Sequence, residues 1–227
     1  MRSPKKGSLL RELPIIIVAA LVVSVLVKTF LIHFFFIPSG SMENTLKVGD
    51  RIAVNKIASY FTEIKRGEVV VFRDPSNWLG QAPKTTSPAV IEALKSGLVA
   101  VGVLPDPAKQ YLIKRTIGVG GDHVVCCDPK GRLQINGTSI NEPYIFAGNK
   151  PSDSNFNVTV PNGFIWVMGD HRGASADSRF HTDDLHKGMV PLSDVVGRAE
   201  FVVWPINHAK FLPVGHDLSK VTVKSKP

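Results

Sequence analysis

Ile37-Pro38-Ser39-Gly40-Ser41-Met42 stands where an almost unbroken apolar run ends and a strand-patterned body begins. Pro38 biases Ile37 toward extended backbone, Gly40 permits a turn that a Cβ resists, and the hydroxyls of Ser39 and Ser41 flank that glycine. Taken alone these six residues are an ordinary stop after an apolar helix. The sequence on either side decides what they are.

Upstream, Leu13 to Ile37 is apolar apart from Pro14, Ser24, Lys28, Thr29 and His33. The stretch before Lys28 reaches only about 22 Å as a helix, short of a hydrocarbon core of ~30 Å. A membrane span therefore has to include Leu26–Phe36, with Lys28 snorkelling or facing a partner helix and Phe34-Phe35-Phe36 near the far interface. The run is longer than a signal-peptide core and no small-x-small cleavage site follows it, so residues 13–37 read as an uncleaved anchor. Arg2, Lys5, Lys6 and Arg11 outweigh Glu12, which puts residues 1–12 in the cytoplasm and 38–227 outside.

Downstream the pattern predicts a mainly β body. Arg51–Val54, Glu68–Phe72, Tyr111–Ile117, His123–Cys127, Leu133–Ile135, Thr138–Ile140, Phe164–Met168 and Val195–Trp204 have strand composition. Asn136-Gly137 offers a tight hairpin turn. Asp74–Pro107, rich in Pro, Ser and Lys, reads as an irregular insertion, and no internal repeat is present. The 227 residues suffice for one domain plus an anchor. A net charge of +8 without a basic run interleaved with aromatics argues against nucleic acid and suits a body held near anionic headgroups. The only cysteines, Cys126 and Cys127, are adjacent. They cannot supply a four-cysteine zinc site, and a disulfide between them would need Cα atoms closer than the usual span of roughly 4.4–6.8 Å. They read as a strand pair with one thiol on each face.

Three stretches carry chemistry. Ser41 is a poor nucleophile until a base takes its proton, and no G-x-S-x-G elbow is present. His171 with Asp177 is one possible source of that base. Lys114, beside Arg115 in Tyr111–Gly118, is the other, because burial lowers an ammonium pKa. A fall from ~10.4 to ~8 takes a little over 3 kcal/mol. The loop Met168–Arg179 supplies acids, arginines and serines. Asp170 can pair with Arg115, Asp177 with Arg179, and Ser175 can aim an amine.

Together these stretches resemble the bacterial type I signal peptidases. The motifs are Pro38-Ser39-Gly40-Ser41-Met42 beside an anchor, Lys114-Arg115-Thr116-Ile117-Gly118-Val119-Gly120-Gly121-Asp122, and Gly169-Asp170-His171-Arg172 with Ser175-Ala176-Asp177-Ser178-Arg179. The resemblance covers about residues 13–205. It implies a β-rich catalytic domain on a single N-terminal transmembrane helix, in a form like those of Gram-positive bacteria and actinomycetes. The implied activity is a membrane-bound serine endopeptidase that removes signal peptides after Ala-x-Ala sites through an acyl-enzyme. Ser41 would be the nucleophile, neutral Lys114 the general base, and Ser39 with the Ser41 N–H the oxyanion hole. Ser175 would orient Lys114, and Asp170–Arg115 and Asp177–Arg179 would brace the site. Shallow pockets near Ile37, Pro38, Met42, Leu46 and Ile113 would admit small side chains. The implied partners are signal peptides of exported preproteins, membrane lipid and a nearby secretion translocase, with no cofactor, metal or nucleic acid. The family often has proline where Asn44 stands and asparagine where His171 stands, and many members are shorter over Phe180–Gly188.

Three other readings compete. His181, Asp183, Asp184 and His186 carry metal-ligand side chains, but four ligands in six residues of loop are hard to place tetrahedrally. A non-catalytic anchored β domain that binds extended peptides would not need both Ser41 and Lys114. A Ser/Lys self-cleaving repressor would lack the anchor.

Overall fold

A computed structural model describes residues 9–30, 32–56, 62–80 and 110–212, together with Ile91, Gly97, Val214, Leu218 and Val221. Helix α1 (Leu9–Phe30) comes first. It is followed by β1 (Ile32–Phe36), β2 (Arg51–Asn55), β3 (Val69–Arg73) and β4 (Tyr111–Val119). Then come β5 (His123–Cys126), β6 (Gln134–Ile135), β7 (Thr138–Ser139) and β8 (Phe156–Thr159). The chain closes with β9 (Phe164–Met168), β10 (Val190–Pro191), β11 (Val195–Trp204) and β12 (Lys210–Phe211).

The strands form two sheets. The larger runs β1-β2-β11-β3-β4-β9-β10, with β12 on β11, and the smaller runs β7-β6-β5-β8. All pairings described are antiparallel, the arrangement short connections allow. β4 is central in the larger sheet, so both its edges are hydrogen-bonded and its side chains have apolar cover on both faces. One core cluster gathers Ile37, Met42, Leu46, Ile52, Val54, Val69, Val71, Ala199 and Val202. A second joins the two sheets through Ile117, Val124, Leu133, Ile135, Trp166 and Met168.

All eight predicted strands are present, two with the predicted ends and six with ends shifted by one or two residues. β4 runs two residues beyond the expected Ile117, through Val119. The anchor boundary needs correction. Ile32–Phe36 does not continue the helix but pairs residue for residue with β2, Phe36 opposite Arg51 and Ile32 opposite Asn55. A short apolar run fits either structure, and here the open edge of β2 takes it. Among the described residues no helix is long and apolar enough to cross a membrane; the side chains described in α1 are those of residues 12–23. The cysteine expectation also fails: Cys126 and Cys127 are joined by a disulfide, their Cα atoms 3.0 Å apart across a cis peptide bond. Of the expected insertion at 74–107, residues 81–107 lie outside the described residues apart from Ile91 and Gly97. Its first turn is built on Asp74, whose carboxylate accepts from the N–H groups of Ser76, Trp78 and Leu79.

Candidate active site

Ser41 sits in a single 3-10 turn, Gly40–Met42, between β1 and β2. Apolar residues on both sides pin that turn. Ile37, Met42 and Leu46 are buried in the first core cluster, and the Ile37 N–H and carbonyl bond to Asp50 and Gly49 at 2.9 Å each. The nucleophile candidate is therefore held by packing below and by main-chain bonds beside it. Ser41 is itself buried, Pro38 and Ser39 are exposed, and Ile113 is half-buried.

Lys114 lies on β4 opposite Val70 of β3 and is only 4% exposed. Its Nζ is 2.6 Å from Ser41 Oγ, a contact between residues 73 apart in sequence. Burial pushes the Lys114 ammonium down from 10.5 to about 8, against the pull of Asp177 and Asp170, with Arg179 adding to the fall. Desolvation wins because, among the described residues, no carboxylate reaches salt-bridge distance of Nζ to repay the lost hydration. An amine with a pKa near 8 is substantially neutral at mildly alkaline pH and can accept a hydroxyl proton there.

The neighbouring charges are all paired. Arg115 is fully buried and donates Nε to Asp170 Oδ1 at 2.8 Å, Nη2 to Asp170 Oδ2 at 2.6 Å and Nη1 to the Gly67 carbonyl at 2.6 Å. Arg179 donates Nε to Asp177 Oδ1 at 2.8 Å and Nη2 to Oδ2 at 2.9 Å. Bidentate pairing of this kind fixes orientation as well as charge. Asp177 also accepts from the Gly169 N–H at 2.9 Å and from the Ser175 hydroxyl at 2.8 Å. Ser175 thus bonds the acid of the bracing pair, where direct orientation of the Lys114 amine was expected. Gly169 is required by crowding: a Cβ there would lie 2.2 Å from Ser175 Oγ and 2.5 Å from the Ser41 carbonyl oxygen.

A further set of buried residues was missed in the sequence. Thr45 donates its hydroxyl to Asp170 and accepts from Arg115 Nη2 at 3.2 Å. The Tyr144 ring lies under the Arg115 guanidinium at 4.2 Å. Glu142 binds Arg172, which is held in its charged form by that carboxylate despite burial. The Phe146 N–H donates to the Asp170 carbonyl at 2.9 Å. The loop 142–151 is thus the platform on which the 169–179 loop rests. Polar residues in a loop of that composition carry no periodic signal, and only a buried contact distinguishes them from solvated ones.

The His181–His186 stretch is occupied by other contacts. The His181 ring stacks on Trp78 at 4.4 Å, and Asp184 accepts from Trp78 Nε1 at 2.7 Å and from the His186 and Gly188 N–H groups. Among the described residues no three His, Cys, Asp or Glu side chains gather to hold a metal ion.

Known proteins share this chain's pattern. The family described as signal peptidase, peptidase S26, matches residues 10–204. Signal peptidase I of Mycobacterium tuberculosis (strain CDC 1551 / Oshkosh) is 39% identical over 222 residues, covering 89% of this chain and 75% of that protein. The probable signal peptidase I of Mycobacterium leprae (strain TN) is 39% identical over 229 residues, covering 89% and 78%. Signal peptidase I of Bacillus licheniformis is 30% identical over 214 residues, covering 91% and 94%.

Proposed function

The chain belongs to the signal peptidase family, peptidase S26, and from that premise we propose that Ser41 and Lys114 are its catalytic dyad. It is a serine endopeptidase that removes signal peptides from preproteins. The observation that carries the dyad assignment is the 2.6 Å contact between Lys114 Nζ and Ser41 Oγ in a site dry enough to lower the amine pKa to about 8.

The reaction then runs in two halves. Neutral Lys114 takes the Ser41 proton as Oγ attacks the scissile carbonyl carbon. The Ser41 N–H and the exposed Ser39 hydroxyl donate to the resulting oxyanion. On collapse, the C–N bond breaks and the departing amine of the mature protein takes the proton from the Lys114 ammonium. The signal peptide is left as an ester on Ser41. Lys114, neutral again, next deprotonates a water that attacks this ester. The signal peptide leaves as a carboxylic acid, and the proton returns to Ser41 Oγ. Asp170–Arg115 and Asp177–Arg179 hold the loop under the dyad, and Ser175 acts through Asp177. Ile37, Met42 and Leu46 are buried beside the nucleophile turn, and in this reading shallow pockets near them, Pro38 and Ile113 admit only small substrate side chains, as an Ala-x-Ala preference requires.

The same reading places the β body, which begins with β1 at Ile32, outside the cell membrane on an N-terminal anchor, α1. Its support is that the side chains described in α1, Glu12 to Val23, are all exposed and almost all apolar. A helix apolar all round needs apolar surroundings. Beyond α1, exposed Phe36, Arg51 and Trp204 form one row across three strands, and Phe34, Ala53, Phe201 and Phe211 form another. Aromatics and an arginine on one face suit a headgroup boundary. Lipid at this face and a translocase delivering the substrate are the partners proposed.

The test is cleavage of a preprotein carrying an Ala-x-Ala site by detergent-solubilised wild type, Ser41→Ala and Lys114→Ala between about pH 6 and 10. Wild-type cleavage with both variants inactive is the expected outcome. Near-normal activity of Lys114→Ala would transfer the base to another group, His171 first.

A further inference from the structure

Glu43 and His171 stand beside the reaction centre without a part in the chemistry above, and they are joined to each other. His171 Nδ1 is 3.0 Å from Glu43 Oε2, across 128 residues of sequence. The imidazole is stacked on Phe146, with ring centroids 4.1 Å apart and planes 16° from parallel. The main chain of both residues also grips the nucleophile turn. The His171 N–H donates to the Ser41 carbonyl at 3.1 Å, and the Glu43 N–H donates to the Gly40 carbonyl at 3.0 Å. The Glu43 carboxylate folds back over Gly40, where an added Cβ would lie 2.9 Å from its Cδ.

We propose that Glu43 and His171 form a clasp that holds the Gly40–Ser41 peptide in the orientation catalysis needs. In that orientation the Ser41 N–H and Oγ converge on one substrate carbonyl. Both are positioning residues, and the proposal rests on Ser41 being the nucleophile. The physical reason lies in Gly40, whose backbone freedom lets the peptide that carries the oxyanion donor swing away from the substrate. The carbonyls on both sides of Ser41 N–H are each held by one member of the pair, and the side-chain contact ties those two holds together. Misplacing a donor or nucleophile by even 1 Å is enough to slow a reaction strongly. Because both side chains are partly exposed, at 20% for His171 and 36% for Glu43, their pairing adds little to stability. Its loss is therefore read in the rate.

The experiment compares full-length His171→Ala, Glu43→Ala, the double variant and Glu43→Gln on the Ala-x-Ala preprotein, with kcat, KM and melting temperature measured for each. Each alanine variant is expected to lower kcat by about tenfold with KM within about twofold. The double variant should be no slower than the slower single, since one clasp is removed only once. Glu43→Gln, whose amide oxygen accepts the same hydrogen bond, should keep kcat within about threefold of wild type. Wild-type kcat in either alanine variant overturns the proposal, as does a double variant whose losses multiply. Should His171→Ala fail to fold, Glu43→Ala carries the test alone. Ser41→Ala is measured in parallel. If it still cleaves, the nucleophile assignment fails and the clasp with it. If it is inactive while the alanine variants keep full kcat, only the clasp fails.

Discussion

Lys114 and Arg115 are adjacent on β4 and almost equally buried, at 4% and 0% exposed, yet their surroundings differ completely. Arg115 is met by the Asp170 carboxylate, the Gly67 carbonyl and the Tyr144 ring. Lys114 is met by a serine hydroxyl. Alternation along the strand sends the two side chains to opposite faces, and the partners on each face then decide the protonation state. Burial with a bidentate carboxylate keeps a cation charged and structural. Burial beside a hydroxyl leaves the cost of desolvation uncompensated, and the amine gives up its proton near pH 8. Depth alone therefore does not lower the pKa of a buried cation; the lack of a carboxylate at salt-bridge distance does, and it is what suits Lys114 to the proposed role of base.

Erasing the difference should have the largest effect. Lys114→Arg makes the proposed base like its neighbour, permanently charged. We expect cleavage to fall by about a thousandfold or more, with no recovery on raising the pH to 10. In wild type, cleavage should rise about tenfold per pH unit up to about 8 and then level off. Initial rates across that range check both.

Breaking the other side should cost stability. Asp170→Asn leaves Arg115 buried without its counter-charge, and a loss of about 3–5 kcal/mol is expected, measured by urea unfolding. Lys114→Met should do the reverse. Between about pH 8 and 10.5 the unfolded chain keeps a proton on Lys114 that the folded chain has released, so stability rises with pH in that window. Below pH 8 the full penalty of burying the ammonium applies. Lys114→Met should therefore be more stable than wild type at pH 7, by up to about 3 kcal/mol, with the advantage gone above pH 10.5. Unfolding curves of the pair at pH 7 and at the alkaline end decide it.

The smallest effect belongs to the turn between the two regions. Asn44 has φ of 83° and donates Nδ2 to the Tyr144 and Ile145 carbonyls at 3.0 and 3.3 Å. Proline, with its φ locked near −65°, cannot take that conformation. Asn44→Ala should cost about 1 kcal/mol in stability and leave kcat nearly unchanged, measured by melting and by steady-state rates.

Much of the fold was legible because it is locally coded. The strand composition of Tyr111–Ile117 and the apolar run Val69-Val70-Val71-Phe72 mark strands, and Asn136-Gly137 marks a hairpin. Ile32–Phe36 was misassigned because its apolar residues continue those of α1 without a break, and only the β2 edge distinguishes a strand from a last helical turn. β8 was missed, and β10 and β12, two residues each, are too short to carry a pattern. The vicinal disulfide ran against the ordinary spacing rule.

For the site, residue identity and order alone named Ser41, Lys114, Asp170, Arg115, Asp177 and Arg179, since each lies in a motif of a family whose sequence matches most of this chain. Thr45, Glu142, Tyr144, Phe146 and the Glu43–His171 contact emerged only from the fold. Their partners lie 24 to 128 residues away, and contacts at that range leave no local trace in composition or periodicity. The sequence by itself determined which groups are available to react. The tertiary structure decided that Lys114 is dry, unpaired with any carboxylate among the described residues and 2.6 Å from Ser41. The state of an ionisable group depends on the solvent and charges around it, which only packing assembles.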